Sequence, residues 1–210
     1  MNTSKLVRAK SDLRTKLLAA RVYRCEQDSE GVQRRLLADS WRNALLDFVI
    51  ETVPINGTVC AFLPTATEPP IRPALRSIYE SGRTILAPIS RPGRVLDWTR
   101  WTPDTPVEIS RFGIQEPVGP RLGAEAFVQA ELRLVPALAI DARGVRLGYG
   151  GGFYDTALEA AAHGPHIAAD IGICFADEFL EAGRVPSESH DARLPQVCTD
   201  EGFTRIRQSP

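Results

Sequence analysis

The feature that most limits how this chain can fold is a glycine-rich run, RLGYGGGFYD, at residues 146–155. Glycine occupies four of the five positions 148–152, although it buries no side chain and costs backbone entropy. A run of glycines does expose backbone N–H groups that can wrap an anion such as a polyphosphate. The run lies between an apolar segment typical of a central strand, LRLVPALAI at 132–140, and a helical pattern at 154–163. This order predicts a ligand-binding loop beyond the carboxyl end of a central strand, with the amides of a helix N-terminus facing it.

The remaining sequence alternates helical and strand patterns. Helices are predicted at 4–25, 29–51, 71–80, 124–131 and 154–163, and strands at 58–63, 83–89, 95–101, 132–140, 166–175 and 196–199. The segment 102–121 is rich in proline and glycine and is predicted to be an ordered loop. The fold class is therefore an α/β sandwich, with a central, mainly parallel sheet flanked by helices and with long N-terminal helices. A length of 210 residues favours a single domain over 1–210.

The composition excludes several classes of protein. A formal net charge of −1 argues against broad electrostatic binding to nucleic acid or to an anionic membrane. No apolar run approaches the ~20 residues that a membrane-spanning helix needs. The four cysteines are scattered and form no CxxC pair, which favours reduced thiols in the cytoplasm over a zinc site. We expect a cytoplasmic protein, acting as a monomer, that binds neither nucleic acid nor membrane.

The glycine run matches neither of the common nucleotide-binding fingerprints. A GxGxxG motif would need glycine at Phe153, and a Walker loop would end in Gly-Lys-Ser/Thr. The alternative is a tight strand-to-helix turn that binds no ligand. Such a turn needs one or two glycines rather than four, so a binding loop is the favoured interpretation.

The glycine run and other motifs, in the same order along nearly the whole chain, resemble the 5-formyltetrahydrofolate cyclo-ligase (methenyltetrahydrofolate synthetase) family. The matching elements are VPALAID at 135–141 with Gly144 and the run at 146–155, KxxxR at Lys10 and Arg14, Glu68 after Phe62-Leu63, GIQEP at 113–117, and Val185-Pro186, His190-Asp191 and Thr199. The glycine motif alone is fairly specific, and the ordered set is strong.

The resemblance implies an enzyme that uses ATP and Mg²⁺ to convert 5-formyltetrahydrofolate to 5,10-methenyltetrahydrofolate, with release of ADP and phosphate. The formamide oxygen is a poor leaving group, so ATP would phosphorylate it before N10 attacks and phosphate departs. Phosphoryl transfer of this kind depends on charge neutralisation and positioning more than on a protein nucleophile.

The resemblance also implies roles for individual residues, with Arg146 and Lys10 as the catalytic cations. ATP binding would involve Lys10, Arg14, Arg146, Leu147, Gly148, Tyr149, Gly150, Gly151, Gly152, Phe153 and Tyr154. Substrate binding would involve Leu63, Glu68, Tyr149, Gly150, Gly151, Gly152, Phe153 and Tyr154. Asp155 and Asp191 would be the Mg²⁺ ligands, because magnesium usually takes one or two carboxylates together with phosphates and waters.

Each role has a simpler alternative that the sequence leaves open. The cations of the first helix could form a solvated face, Arg146 a surface ion pair, and Glu68 an exposed loop charge. Leu63, Phe153 and Tyr154 could be ordinary core residues, and Asp155 could be present only because a carboxylate is favourable at a helix N-terminus. Alternative functions are a folate- or nucleotide-binding protein without turnover, and a related ATP-dependent ligase acting on another N-formyl or amide compound.

Overall fold

The computed structural model describes residues 3–164, 168–188 and 191–206. The helices are α1 (Thr3–Gln27), α2 (Val32–Thr52), α3 (Arg72–Glu80), α4 (Glu125–Val128) and α5 (Phe153–Ala162), with 3-10 helices at Pro92–Arg94 and Ala176–Glu178. The strands are β1 (Thr58–Cys60), β2 (Thr84–Arg91), β3 (Val95–Trp101), β4 (Val107–Ile109), β5 (Gln115–Pro117), β6 (Leu132–Pro136), β7 (Ala139–Asp141), β8 (Arg146–Leu147), β9 (Ala169–Ile173), β10 (Phe179–Leu180), β11 (Gln196–Thr199) and β12 (Gly202–Arg205). Within the described residues, no helix is both long and apolar enough to cross a bilayer.

Seven strands form the central sheet, in the order β12-β11-β9-β6-β1-β2-β3. The five inner strands are parallel to one another. The edge strands β12 and β3 are antiparallel to their neighbours, a common arrangement in large α/β sheets. This topology confirms the predicted α/β sandwich with a central, mainly parallel sheet.

The central strands are mostly apolar because helices cover both faces of the sheet. Successive strand residues point to opposite faces. Val59 of β1 packs with Trp41 of α2 on the face that α3 also covers. The next residue, Cys60, packs with Phe127 of α4 and Leu158 of α5 on the other face. The alternation of strands and helices therefore produces two hydrophobic cores, one on each side of the sheet.

The strand predicted at 132–140 is in fact two strands in different sheets, which corrects the prediction. β6 ends at Pro136, and the Ala137 N–H makes the last hydrogen bond to β9, at the Ile173 carbonyl. β7 begins at Ala139 and is the middle strand of a small sheet with the order β10-β7-β8. Helix α1 packs on this small sheet through Leu17, which belongs to one buried cluster with Leu138 and Leu147. The run therefore begins with β8 of the small sheet, and its glycines follow β8 rather than a central strand.

Other boundaries also differ from the sequence predictions. The predicted loop 102–121 contains an antiparallel hairpin of β4 and β5. The strand predicted at 58–63 ends at Cys60, and the helix predicted at 124–131 is a single turn. The strand predicted at 166–175 is observed at Ala169–Ile173, while residues 165–167, including His166, lie outside the described residues. These differences move element ends and leave the layers of the fold as predicted.

Candidate active site

A pocket of about 430 Å³ opens where the chain leaves the carboxyl ends of β1 and β6. Its apolar wall includes Phe62 and Leu63, which follow β1, and Pro136 at the end of β6. The turn of the β4–β5 hairpin and the glycine run form the other walls. Ligands bind at this edge in open α/β sheets, so the pocket occupies the position expected of an active site.

Most residues proposed from the sequence line this pocket. They are Leu63, Glu68, Arg146, Gly148, Tyr149, Gly150, Gly151, Gly152, Phe153, Tyr154 and Asp155. Leu147 does not line it: its side chain is buried against α1, and its carbonyl accepts a hydrogen bond from the Leu138 N–H. Lys10, Arg14 and Asp191 are not among the residues that line the pocket. His190 lies outside the described residues.

The glycines of the run leave space for arginine side chains. A Cβ at Gly148 would lie 2.6 Å from Nη1 of Arg146, and one at Gly152 would lie 3.0 Å from Cδ of Arg94. Gly150, whose φ is +98°, approaches the guanidinium of Arg14. Gly152 is also left-handed, with φ at +74°, and is the N-cap of α5. Three guanidinium side chains and a helix N-terminus therefore surround a bare backbone, which suits an anionic ligand.

Arg146 is the cation that reaches the pocket itself. Its side chain is only 5% exposed, and its Nη1 donates a hydrogen bond of 3.1 Å to the carbonyl of Pro136. Its Nη2 forms an ion pair with Asp155 in the first turn of α5. The Asp155 side chain is 66% exposed, so it can leave this pair without breaking buried packing.

Helix α1 brings a second pair of opposite charges to the loop. Nε of Arg14 donates to the carbonyl of Gly148 over 2.9 Å, so this arginine is not part of a solvated basic face. One helical turn away, Nζ of Lys10 lies 2.8 Å from Oδ2 of Asp191. Both proposed metal ligands are thus carboxylates paired with the cations proposed to bind phosphate.

The two aspartates supply the kind of oxygen ligands that Mg²⁺ prefers. Among the described residues there is no cluster of three or more His, Cys, Asp or Glu side chains. Magnesium does not need one, because it commonly combines one or two carboxylates with substrate phosphates and water. Asp155 and Asp191 therefore fit the metal chemically.

The pocket wall also carries a buried acid. Glu68 is only 7% exposed, and its Oε2 accepts a hydrogen bond of 2.8 Å from the N–H of Thr65. Arg34 of α2 holds this loop by donating to the carbonyls of Thr65 and Glu68, each over 3.1 Å. Glu68 is thus a fixed carboxylate in the pocket wall, not the exposed loop charge of the alternative interpretation.

Aromatic side chains complete the pocket. Phe153 meets Phe112, in the turn of the β4–β5 hairpin, edge-on with ring centroids 5.6 Å apart. Tyr154 packs against Phe127 of the core, and burial raises the pKa of its hydroxyl well above the ordinary value. This buried hydroxyl has no hydrogen-bond partner among the described residues. A buried polar group of this kind usually has a partner, so a bound ligand or water is the expected one.

Sequence reasoning missed Arg94, Arg34 and Arg21. Arg94 follows Pro92-Gly93 in a turn, where no motif distinguishes it from a surface arginine. Arg34 and Arg21 look like solvated helix cations. Arg21 did carry a signal, because it lies at helical spacing from Arg14 and Leu17, on the face of α1 that packs on the small sheet.

Comparison with known proteins agrees with this geometry. A family model described as the 5-formyltetrahydrofolate cyclo-ligase family matches residues 7–200. The 5-formyltetrahydrofolate cyclo-ligase of Mycolicibacterium smegmatis is 37% identical over 207 residues, covering 95% of this chain and 98% of that protein. The Escherichia coli K12 protein of the same name is 28% identical over 150 residues, covering 70% and 80%.

Solved structures show the same fold. The Aquifex aeolicus 5,10-methenyltetrahydrofolate synthetase superposes with a TM-score of 0.68 at 25% identity, covering 96% of this chain and 94% of that one. The Mycoplasma pneumoniae synthetase gives a TM-score of 0.64 at 16% identity, covering 91% and 99%. Together with the match over nearly the whole sequence, these findings show that the chain belongs to the 5-formyltetrahydrofolate cyclo-ligase family.

Proposed function

We propose that this enzyme uses MgATP to cyclise 5-formyltetrahydrofolate to 5,10-methenyltetrahydrofolate, releasing ADP and phosphate. The observation that carries the proposal is the meeting of Arg14, Arg94 and Arg146 on the glycine backbone at one end of an apolar pocket. The relatives named above have the corresponding activity in their names. The pocket combines an anion site with a flat apolar site, as a nucleotide and a folate together require.

The phosphate chain of ATP is assigned to the glycine run. The amides of 148–152 and the N-terminus of α5 would donate to phosphate oxygens. Arg146 would exchange Asp155 for the transferring phosphoryl group, where its fork of donors suits bidentate contact. Lys10 and Arg14 would neutralise the remaining negative charge from α1.

In the proposed reaction the formyl oxygen of the folate attacks the γ-phosphorus, and ADP leaves. The N5 iminophosphate that results is attacked at carbon by N10. N10 then gives up its proton to the departing phosphate and the C–O bond breaks, so the formyl oxygen leaves as part of inorganic phosphate while the methenyl cation forms. The protein's contribution is to hold the two substrates in line and to balance the charge that develops on the phosphoryl oxygens.

Magnesium would be held by Asp155 and Asp191 once their cationic partners turn to phosphate. When bound, the metal would supply charge neutralisation for the phosphate oxygens. The ion pairs Arg146–Asp155 and Lys10–Asp191 would thus be replaced by arginine–phosphate, lysine–phosphate and carboxylate–metal contacts. Each of the four charges would keep an opposite charge throughout binding.

The folate is assigned to the apolar end of the pocket. Glu68 would accept hydrogen bonds from the amino–amide edge of the pterin, while Leu63 and Phe153 contact its faces. The unpartnered hydroxyl of Tyr154 is available to a polar atom of either ligand. We infer that the protein acts on these small molecules as a monomer in the cytoplasm, a reducing compartment that suits its four free thiols.

The test is to mix the purified protein with MgATP and (6S)-5-formyltetrahydrofolate and to follow the near-ultraviolet absorbance of the methenyl product together with ADP release. Arg146→Ala and Asp155→Ala should abolish most turnover while the protein stays folded. Arg76→Ala, which removes an exposed helical ion pair with Glu80, is the matched control and should leave the rate unchanged. Binding of both ligands without product would identify a sequestering protein and reject the catalytic proposal.

A further inference from the structure

Arg21 makes a buried ion pair that the proposed reaction does not use. Its side chain is fully buried, and it forms a bidentate pair with Glu178 in which Nε and Nη2 each lie 2.7 Å from a carboxylate oxygen. Burial alone would lower the pKa of Arg21, but its hydrogen bond to Glu178 and the nearby negative groups outweigh burial and raise it. Buried ion pairs are weak evidence for stability, because desolvation offsets much of the attraction. Stability alone therefore does not account for this buried charge.

The same guanidinium reaches two further elements. Nη2 donates over 2.7 Å to the carbonyl of Ala137, in the segment between β6 and β7. Nη1 donates to the hydroxyl of Tyr149 in the glycine run. Glu178 is itself fixed, because its Oε2 also accepts from the N–H of Phe175 over 2.9 Å. One rigid fork of donors thus joins α1, the carboxyl edge of the central sheet, the 3-10 helix Ala176–Glu178 and the glycine run.

Tyr149 is the one residue with a side chain among residues 148–152. Its ring lines the pocket, and the residue is 44% exposed, while its hydroxyl points inward to Arg21. Burial of the hydroxyl, together with the nearby Glu68 carboxylate, raises the pKa of Tyr149 well above its ordinary value, so the hydroxyl stays protonated. Glycine backbone on either side is conformationally free. The Tyr149 side chain is therefore the group through which the rest of the protein can fix the middle of the loop.

We propose that Arg21, oriented by Glu178, is a positioning residue that fixes the glycine loop through the Tyr149 hydroxyl. This inference rests on the proposed role of the loop in binding the phosphates of ATP. A fixed loop presents its amides to an anion without paying the entropy of ordering them at binding. Arg14 holds the start of the loop at the carbonyl of Gly148, and Arg21 holds the next residue, so these two arginines of α1 fix adjacent points.

The chain contains a matched control for this proposal. Arg133 of β6 forms a buried pair with Asp170 of β9, in which Nε and Nη2 lie 2.5 and 3.1 Å from the two carboxylate oxygens. This pair does not line the pocket. Arg21→Lys and Arg133→Lys therefore make the same chemical change in two buried bidentate pairs, and only the first pair contacts the glycine run.

The kinetic experiment compares Arg21→Lys, Tyr149→Phe, the double variant and Arg133→Lys. We expect Arg21→Lys and Tyr149→Phe each to raise the KM for ATP about tenfold with a smaller change in kcat, the size typical of losing a hydrogen bond to a charged group. The double variant should cost less than the sum of the two single changes, because both of them break the hydrogen bond between Arg21 and Tyr149. Arg133→Lys should lower the Tm and leave the KM for ATP unchanged. Additive effects in the double variant, or an equal rise in Arg133→Lys, would overturn the proposal.

The hydrogen bond by which Arg21 fixes Tyr149 is called the tether here. Hydrogen exchange of the ligand-free protein tests this tether without relying on activity. The backbone amides of 148–152 should exchange faster in Arg21→Lys and in Tyr149→Phe than in the wild type or Arg133→Lys. Tyr149→Phe keeps the Arg21–Glu178 pair, so it reports on the tether even if Arg21→Lys fails to fold. An inactive wild type with these exchange differences would refute the proposed function and keep the tether. An active wild type whose loop exchange is the same in all variants would refute the tether alone.

Discussion

Alanine at position 148 tests whether Gly148 is needed to make room for Arg146. A Cβ there would lie 2.6 Å from Nη1 of Arg146, and 3.3 Å from its Cζ and Nη2. Ordinary nonbonded contacts are about 3.5 Å, so the guanidinium would have to move by about 0.9 Å. It cannot move so far and keep its bonds to both the Pro136 carbonyl and Asp155. Gly148→Ala should therefore displace the cation assigned to the transferring phosphoryl group.

The expected magnitude differs between stability and activity. The group that must move is the end of a flexible side chain, so we expect the Tm to fall by only a few degrees, equivalent to roughly 1 kcal/mol or less. A hydrogen bond to a charged group is worth about 1.5–3 kcal/mol. Since about 1.4 kcal/mol corresponds to a factor of ten, kcat/KM for ATP should fall roughly 10- to 150-fold.

The assay is a double-variant cycle of Gly148→Ala and Arg146→Ala, with kcat/KM for ATP and Tm measured for each protein. Once Arg146 is absent, Gly148→Ala should cost less than about threefold, because the group it displaces is gone. An equal loss in both backgrounds would refute the reasoning and show that the added methyl group blocks the ligand directly. Gly119→Ala is the control, because its Cβ would lie 2.7 Å from Oγ1 of Thr99 outside the pocket.

Three further predictions concern the folate wall, the metal and the thiols. Glu68→Gln should raise the KM for folate about tenfold or more and leave that for ATP nearly unchanged, as steady-state kinetics would show, because only the folate is assigned to this carboxylate; equal rises for both would contradict that assignment. Asp191→Asn should raise the Mg²⁺ concentration for half-maximal rate about fivefold or more, whereas Asp12→Asn, in an exposed ion pair, should not. In Ellman titration of the native protein Cys25 should react first, because burial of the other thiols raises their pKa values; rapid reaction of all four would contradict the packing of the cores.

The fold could be predicted because its central elements are buried on a regular period. The strand predicted at 95–101 is observed as Val95–Trp101, and the one at 196–199 as Gln196–Thr199. The break after Pro136 could not be predicted, because the apolar run continues across it and both parts are buried. The β4–β5 hairpin could not be predicted either, because all three residues of β4 are exposed and show no alternation of buried and exposed positions.

The candidate site was predictable where its residues are contiguous in sequence. Residues 148–155 line one pocket because they are consecutive: the glycine loop at 148–152 leads directly into the first turn of α5. The cations that surround this run were only partly predictable. A basic residue on a helix or in a turn looks the same in sequence whether it faces solvent or is buried, and the positions of Arg21 and Arg94 are decided by tertiary contacts. Periodicity along α1 is the signal that could have found Arg21.

The departure of the chain from the central sheet after Pro136 determines where the arginines can be anchored. The carbonyl of Pro136 accepts a hydrogen bond from Arg146, and the carbonyl of Ala137 accepts one from Arg21. Two consecutive peptide groups thus bind two different guanidinium groups. A strand that continued without interruption would present successive carbonyls to opposite neighbours in the ladder. Any change that re-forms a continuous strand here would leave both guanidinium groups without an acceptor, even though every charged residue of the site remained in place.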